Sequence, residues 1–398
     1  MADKFKVPMS SPDLTAAERR AVAQVLDTPR LSMGPELAAF EAALAASAGV
    51  AHAVAVSSGT AALHLCVRAA GLGVGDLVLT TPFSFVASAN ALLYERAIPV
   101  FVDVNQQTGN LDPELVAAAA AGLAAGGRDA RRWLPRRSPD PAGRLKALLT
   151  VDVFGQPADY GKLDRTAKQH GLTVLEDSSE SLGAAYRGRP AGGLGEAGVF
   201  AFYPNKQITT GEGGAVVTDR EDWAEQMRSL RNQGRSQTDG WLEHTQLGYN
   251  YRLDELSAAL GRAQLERLEE LLLRREAVAG WYQARLGGLD QVELPELSEG
   301  TTRPSWFVYV VRLSGGVERA RVIQALEQDG VPSRAYFTPI HLQPYMVERF
   351  GYRPGDFPVT EELGDRSLAL PFSGVMTEAQ VDLVCKSLER VMARPGGN

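Results

Sequence analysis

Seven short, nearly continuous apolar runs constrain this chain more than any other feature: Ala53–Ser57, Leu77–Thr80, Pro99–Asp103, Ala147–Asp152, Thr173–Glu176, Val199–Phe202 and Ala215–Thr218. Amphipathic stretches of helical period separate them. Strands without polar alternation are buried on both faces, so the pattern predicts an α/β fold with a mostly parallel sheet covered by helices on each side. A first helix is expected over residues 36–47, just after Met33-Gly34-Pro35.

At 398 residues the chain exceeds the size, roughly 250–300 residues, at which a single core stops growing. Two units are therefore expected: 1–252, a large α/β unit with an N-terminal segment, and 253–398. From Leu253 to about Leu286 the positions Leu256, Leu260, Ala263, Leu268 and Leu271 recur at helical spacing, predicting one long helix that leaves the sheet. Beyond it, Trp306–Leu313 reads as a strand, and Val317–Gln328 and Thr377–Met392 read as helices, giving a small α+β unit. Residues 126–144 break the rhythm with six arginines against two aspartates. They read as a solvated insertion, with a contact to an anionic ligand or a neighbouring subunit as the alternative.

Several functions are excluded early. A net charge of −7 speaks against general nucleic-acid binding. The N-terminus has no apolar leader pattern, and no run of about 18 uncharged apolar residues occurs, so neither secretion nor membrane spanning is expected. The only cysteines, Cys66 and Cys385, are far apart, which suits a reducing cytoplasm. Five scattered histidines show no metal-binding spacing, so no metal is expected. Gly193-Leu194-Gly195-Glu196-Ala197-Gly198 matches a dinucleotide fingerprint in form only, because a strand follows where that motif requires a helix.

The candidate chemistry gathers at three places. Lys206 follows an apolar strand and precedes the glycine-rich Thr210-Gly211-Glu212-Gly213-Gly214; an amine desolvated there would have a lowered pKa. Asp177 closes the strand Thr173–Glu176 at its carboxyl end, where open α/β sheets place ligands, and Glu180 lies three residues on. Ser58-Gly59-Thr60-Ala61 opens a helix whose free amides would hold a phosphate. A lysine for a Schiff base, a separate acid for a pyridine nitrogen and a phosphate cup are what pyridoxal 5′-phosphate requires. His341, in a proline-punctuated loop, and Tyr336 are the second unit's candidates for touching substrate.

Taken in order, Gly34-Pro35-Glu36, Ser58-Gly59-Thr60-Ala61, Pro82-Phe83-Ser84-Phe85, Gly155-Gln156-Pro157, Glu176-Asp177, Asn205-Lys206, Gly211-Glu212-Gly213-Gly214, Gly248-Tyr249-Asn250-Tyr251-Arg252 and His341-Leu342-Gln343-Pro344 resemble the DegT/DnrJ/EryC1/StrS family of pyridoxal-phosphate sugar aminotransferases, over roughly residues 10–395. The resemblance implies fold-type I architecture, like that of aspartate aminotransferase. It implies that Lys206 carries the cofactor and moves the proton, that Asp177 faces the pyridine nitrogen and that Phe85 stacks on the ring. Gly59, Thr60 and Ala61 would cup the phosphate, Asn250 would reach it from the other subunit of a homodimer, and Glu180 would lie near the 3′-oxygen. The implied reaction moves an amino group from L-glutamate, leaving 2-oxoglutarate, to a nucleotide-linked keto-deoxysugar. Amination of a cyclitol or another keto compound, or a non-catalytic regulatory role, are the alternatives. Two departures stand out: Ala201 where relatives often place a phosphate-binding serine, and Glu180 where they often carry Gln or His.

Overall fold

The computed structural model describes residues 5–138, 143–236 and 243–393. All seven apolar runs are strands of one sheet: β1 (His52–Val56), β2 (Leu77–Thr80), β3 (Ile98–Phe101), β4 (Leu145–Val151), β5 (Thr173–Asp177), β6 (Ala197–Ala201) and β7 (Gly214–Thr218). Their order across the sheet is β1-β7-β6-β5-β4-β2-β3. Only β7 runs against its neighbours, pairing antiparallel with β1 and β6, while the pairs from β6 to β3 are parallel. The runs lack polar alternation because each face meets its own core. Leu77 and Leu79 pack with the helix Pro113–Ala125, whereas Val78 joins the cluster under the helix Gly59–Ala69.

Antiparallel β7 brings the chain back beside the start of the Gly59–Ala69 helix. A Cβ at Gly214 would lie 2.6 Å from both the Ser58 carbonyl and the Gly59 amide, so only glycine allows that approach. The helix Pro35–Ala48 begins at Gly34 with no side-chain cap of its own. Glu255 supplies one from afar: its carboxylate accepts the amides of Gly34 at 2.8 Å, Glu36 at 2.9 Å and Leu37 at 3.0 Å.

A second, antiparallel sheet takes the order Val292–Glu293, Tyr309–Leu313, Ser367–Leu370, Arg334–Ala335. Its core joins the helices Leu268–Leu286, Arg319–Gln328 and Glu378–Ala393, and it also takes in Val7 from the start of the chain. Ala185–Tyr186, Arg189–Pro190 and Thr301–Arg303 form a small three-stranded sheet.

Two elements differ from the sequence reading. The long helix is broken into Glu255–Leu265 and Leu268–Leu286, with Arg267 leaving helical geometry at φ −105 and ψ 9. The Arg267 guanidinium is drawn sideways to Glu18 at 2.7 Å and Asp13 at 3.1 Å, contacts no periodicity encodes. The strand expected from Trp306 starts only at Tyr309, because Trp306 has φ 51 and the carbonyls of Trp306 and Phe307 accept from Arg275.

The arginine-rich stretch is pinned down where it is described. Arg136 forks onto Asp356, with Nη2 2.6 Å from Oδ1, and Arg137 donates to the Glu348 carbonyl at 2.6 Å. We expect Ser at both positions to cost about 0.2–1 kcal/mol for the lost Arg136–Asp356 pair and to leave Michaelis constants unchanged. Thermal unfolding and steady-state kinetics on the double variant check this. A raised Michaelis constant with an unchanged melting temperature would restore the ligand-contact alternative.

Candidate active site

Val151, Asp177 and Ala201, the last residues of β4, β5 and β6, meet at the carboxyl edge of the sheet. With Ser58–Thr60 after β1, Phe85 after β2 and Gly213 before β7 they line one cavity of about 360 Å³. Phe307, Tyr336 and Phe337 close it from the part of the chain beyond 252. Open α/β sheets put ligands at this edge, and the volume lies toward the lower end for ligand sites.

Ser58 is the N-cap of the Gly59–Ala69 helix, its hydroxyl accepting the Ala61 amide at 3.1 Å. The first i→i−4 bond is Ala62 N–H to Ser58 O, so the Gly59 and Thr60 amides lie ahead of the helical ladder on residues that line the cavity. Ala61 differs from the sequence reading: its amide is already taken by Ser58, and the residue is buried outside the lining. A Cβ on Gly59 would meet the Ala201 methyl at 2.7 Å and come within 3.7 Å of the Ser179 hydroxyl. Ala201 therefore packs against the cup, and Ser179, also lining the cavity, brings a hydroxyl to the same corner.

Asp177 is 5% exposed, and its carboxylate is already oriented. Oδ2 accepts from the Ser88 hydroxyl at 2.7 Å and Oδ1 from the Ser179 amide at 3.2 Å. The turn that follows is anchored from behind. Ser178 and Ser181 each donate to Asp152 Oδ2 at 2.9 Å, and the Asp152 amide donates to the Asp177 carbonyl at 3.1 Å. Burial pushes the Asp152 and Glu176 carboxyls above the usual carboxyl range.

Lys206 lies in the connection Phe202–Gly213, its Nζ 3.8 Å from Glu180 Oε1 and 3.9 Å from the centre of the Phe307 ring. Burial pushes the amine below the usual lysine range, opposed by the charges of Glu180 and Asp177. Burial likewise pushes Glu180 above the usual carboxyl range, against the pull of Lys206 and of the Phe154 amide, which Oε2 accepts at 2.9 Å. Both groups move toward their neutral forms, which is the state a nucleophilic amine needs.

Gly59, Thr60, Phe85, Asp177, Glu180, Lys206 and Tyr336 are thus gathered around one space. Phe85 lines it with 63% of its surface open. His341 is not there. It is fully buried, with Nε2 3.0 Å from Glu361 and its ring edge-on to Phe357 at 4.7 Å, because the 3-10 turn Ile340–Leu342 points it inward. Asn250 is outside the lining and exposed, flanked by the stacked rings of Tyr249 and Tyr251. Ser88, Ser179, Phe307 and Arg275 were missed by the sequence reading. Ser88 had no local signal, but Arg275 had one: a charged residue on the buried stripe of Leu268–Leu286.

Among the described residues no three His, Cys, Asp or Glu side chains cluster as a metal site would require. No described helix is long and apolar enough to cross a membrane.

Residues 12–389 match the DegT/DnrJ/EryC1/StrS aminotransferase family. The chain is 36% identical over 396 residues to GDP-perosamine synthase of Caulobacter vibrioides, covering 98% of this chain and 100% of that one. It is 35% identical over 373 residues to UDP-N-acetyl-3-dehydro-alpha-D-glucosamine 3-aminotransferase of Acidithiobacillus ferrooxidans, covering 93% and 92%. The crystal structure of S. venezuelae DesV in complex with a ketimine intermediate superposes with a TM-score of 0.85 at 34% identity, covering 98% of this chain and 99% of that one. With the sheet, the carboxyl-edge cavity and the match along nearly its whole length, this fold-type I chain belongs to the DegT/DnrJ/EryC1/StrS aminotransferase family.

Proposed function

We propose that this chain is a pyridoxal-phosphate enzyme that transfers an amino group from L-glutamate to the keto carbon of a nucleotide-linked keto-deoxysugar, for amino-sugar biosynthesis. It works as a cytoplasmic homodimer, with the site formed between units 1–252 and 253–398. The observation that carries this reading is Lys206 Nζ, buried 3.8 Å from Glu180 in the same cavity as Asp177 and the Gly59–Thr60 amides. The names of the relatives from Caulobacter vibrioides and Acidithiobacillus ferrooxidans point to nucleotide sugars as the substrate class, and the two buried free cysteines suit a reducing compartment.

The residues fit the cofactor. Gly59 has no room for a Cβ, the two amides beside it precede the helical ladder, and Ser179 adds a hydroxyl, a donor set suited to a phosphate dianion. Asp177, held by Ser88 and the Ser179 amide, would face the pyridine nitrogen, and Phe85 would cover one face of the ring. When bound, the cofactor supplies the electron sink and carries the amino group between substrates.

This chain's own residues do the rest. Lys206 would hold the cofactor, then take the proton from the donor's α-carbon and return it on the other side of the transfer, which its lowered pKa favours. Glu180, pushed by burial toward its protonated form, would donate to the cofactor's 3′-oxygen rather than repel it. Tyr336 lines the cavity from beyond 252 and would touch the substrate there. Purified protein should release 2-oxoglutarate from L-glutamate and then aminate a nucleotide ketosugar. Donor turnover without amination of any nucleotide ketosugar would favour the cyclitol or other keto substrates.

Asn250 of the partner subunit would complete the phosphate cup. Its exposure in a segment tied to the cup by the Ser57 amide and Tyr251 carbonyl, 2.9 Å apart, supports this. The interface should bury about 2,000 Å² or more, as obligate dimers do. Mixing Lys206→Ala chains with Asn250→Ala chains should give hybrid dimers with one intact site and activity above either parent. No recovery despite proven subunit exchange would place Asn250 outside the partner's site.

A further inference from the structure

The helix Leu268–Leu286 turns Leu271, Leu272, Val278, Ala279 and Tyr282 inward, and Arg275 shares that stripe at 4% exposure. A guanidinium buried on an apolar stripe is costly unless its N–H groups find acceptors. Here four backbone carbonyls serve. Nη2 donates to Lys206 O at 2.6 Å and Asn205 O at 3.4 Å, while Nη1 donates to Trp306 O at 3.1 Å and Phe307 O at 3.3 Å. One planar fork therefore clasps two segments distant in sequence, and each brings a part of the site. The Lys206 amine lies 3.9 Å from the centre of the Phe307 ring.

We propose that Arg275 is a positioning residue for Lys206, fixing the amine over the Phe307 ring by holding the carbonyls of both segments in one fork. Lysine cannot replace it, since a single ammonium offers no planar pair of donors. The role rests on Lys206 being the reacting lysine proposed above. The fixed positive charge also acts on the amine. Burial is the largest cause of the lowered Lys206 pKa, and Arg275 adds to it while Glu180 and Asp177 oppose it. Tyr203 and Glu212 face the same cavity from the Phe202–Gly213 connection, and Tyr336 faces it from beyond 252. Asp13 acts in turn on Arg275, whose own pKa burial lowers to about 10.

Arg275→Met and Arg275→Lys test this in two ways. In cofactor-free protein, reductive methylation with formaldehyde and cyanoborohydride is followed across pH on the peptide containing Lys206. The midpoint should move upward in Arg275→Met and stay nearer wild type in Arg275→Lys, which keeps the charge. In cofactor-loaded protein both variants should lose kcat by about ten- to a hundredfold, the scale of a lost charge-assisted hydrogen bond, with little change in the KM for L-glutamate. An unchanged midpoint in folded Arg275→Met, or wild-type kcat in Arg275→Lys, overturns the proposal. If Arg275→Met fails to fold by circular dichroism, the kcat of Arg275→Lys decides alone. Borohydride fixation of pyridoxal phosphate to a lysine other than Lys206 would instead defeat the functional reading, while the methylation midpoint would still report on Arg275 and Lys206.

Discussion

Borohydride reduction of the yellow holoprotein followed by peptide mapping should place the pyridoxyl mass on the peptide containing Lys206, and Lys206→Ala should abolish transamination. The expectation follows from position. Lys206 is the lysine lining the described cavity, and burial holds its amine below the usual lysine range, toward the neutral form a nucleophile needs. Lys206→Ala removes both the covalent anchor and the base. General acid–base catalysis alone contributes about 10²–10⁴-fold, and loss of the covalent link adds to that, so turnover should fall below detection. Label on any other lysine would sink the assignment.

Asp177→Asn should retain bound cofactor and lose most turnover. The side chain is 5% exposed at the cavity wall, with Ser88 and the Ser179 amide already donating to it, so an isosteric amide fits without opening a further cavity. What it lacks is charge. Losing a charged hydrogen bond in such a place costs about 1.5–3 kcal/mol, roughly ten- to a hundred-and-fifty-fold in rate, and more if the electron sink fails altogether. Cofactor content read from absorbance, beside kcat for L-glutamate release of 2-oxoglutarate, separates the two effects. Near wild-type turnover would pass the role to another acid, and Glu180 and Glu212 line the same cavity.

How far the sequence reached depends on the range of the interactions involved. The seven strands were legible because a strand buried on both faces must be apolar at every position, a local property of the chain. Lys206, Asp177 and the Ser58–Thr60 turn were legible for a related reason: each follows a strand at its carboxyl end or opens a helix, so parallel pairing from β4 to β6 brings those ends to one edge. The family resemblance rests on these same local motifs.

The tertiary structure alone decided whatever depended on a distant partner. Arg267 breaks a helix that periodicity would continue, because Asp13 and Glu18 lie beside it only in the folded chain. His341 turns away from the cavity to meet Glu361, and Arg136 forks onto Asp356. The Ala61 amide belongs to Ser58, while Ser179 reaches the corner that Ala201 leaves without a hydroxyl. Glu180 beside Lys206, Phe307 beneath its amine and Arg275 behind it come from three separate parts of the chain. Burial patterns along a sequence report which face of an element is covered, but a buried charge is set by the particular groups that meet it, and those meet only once the chain has folded.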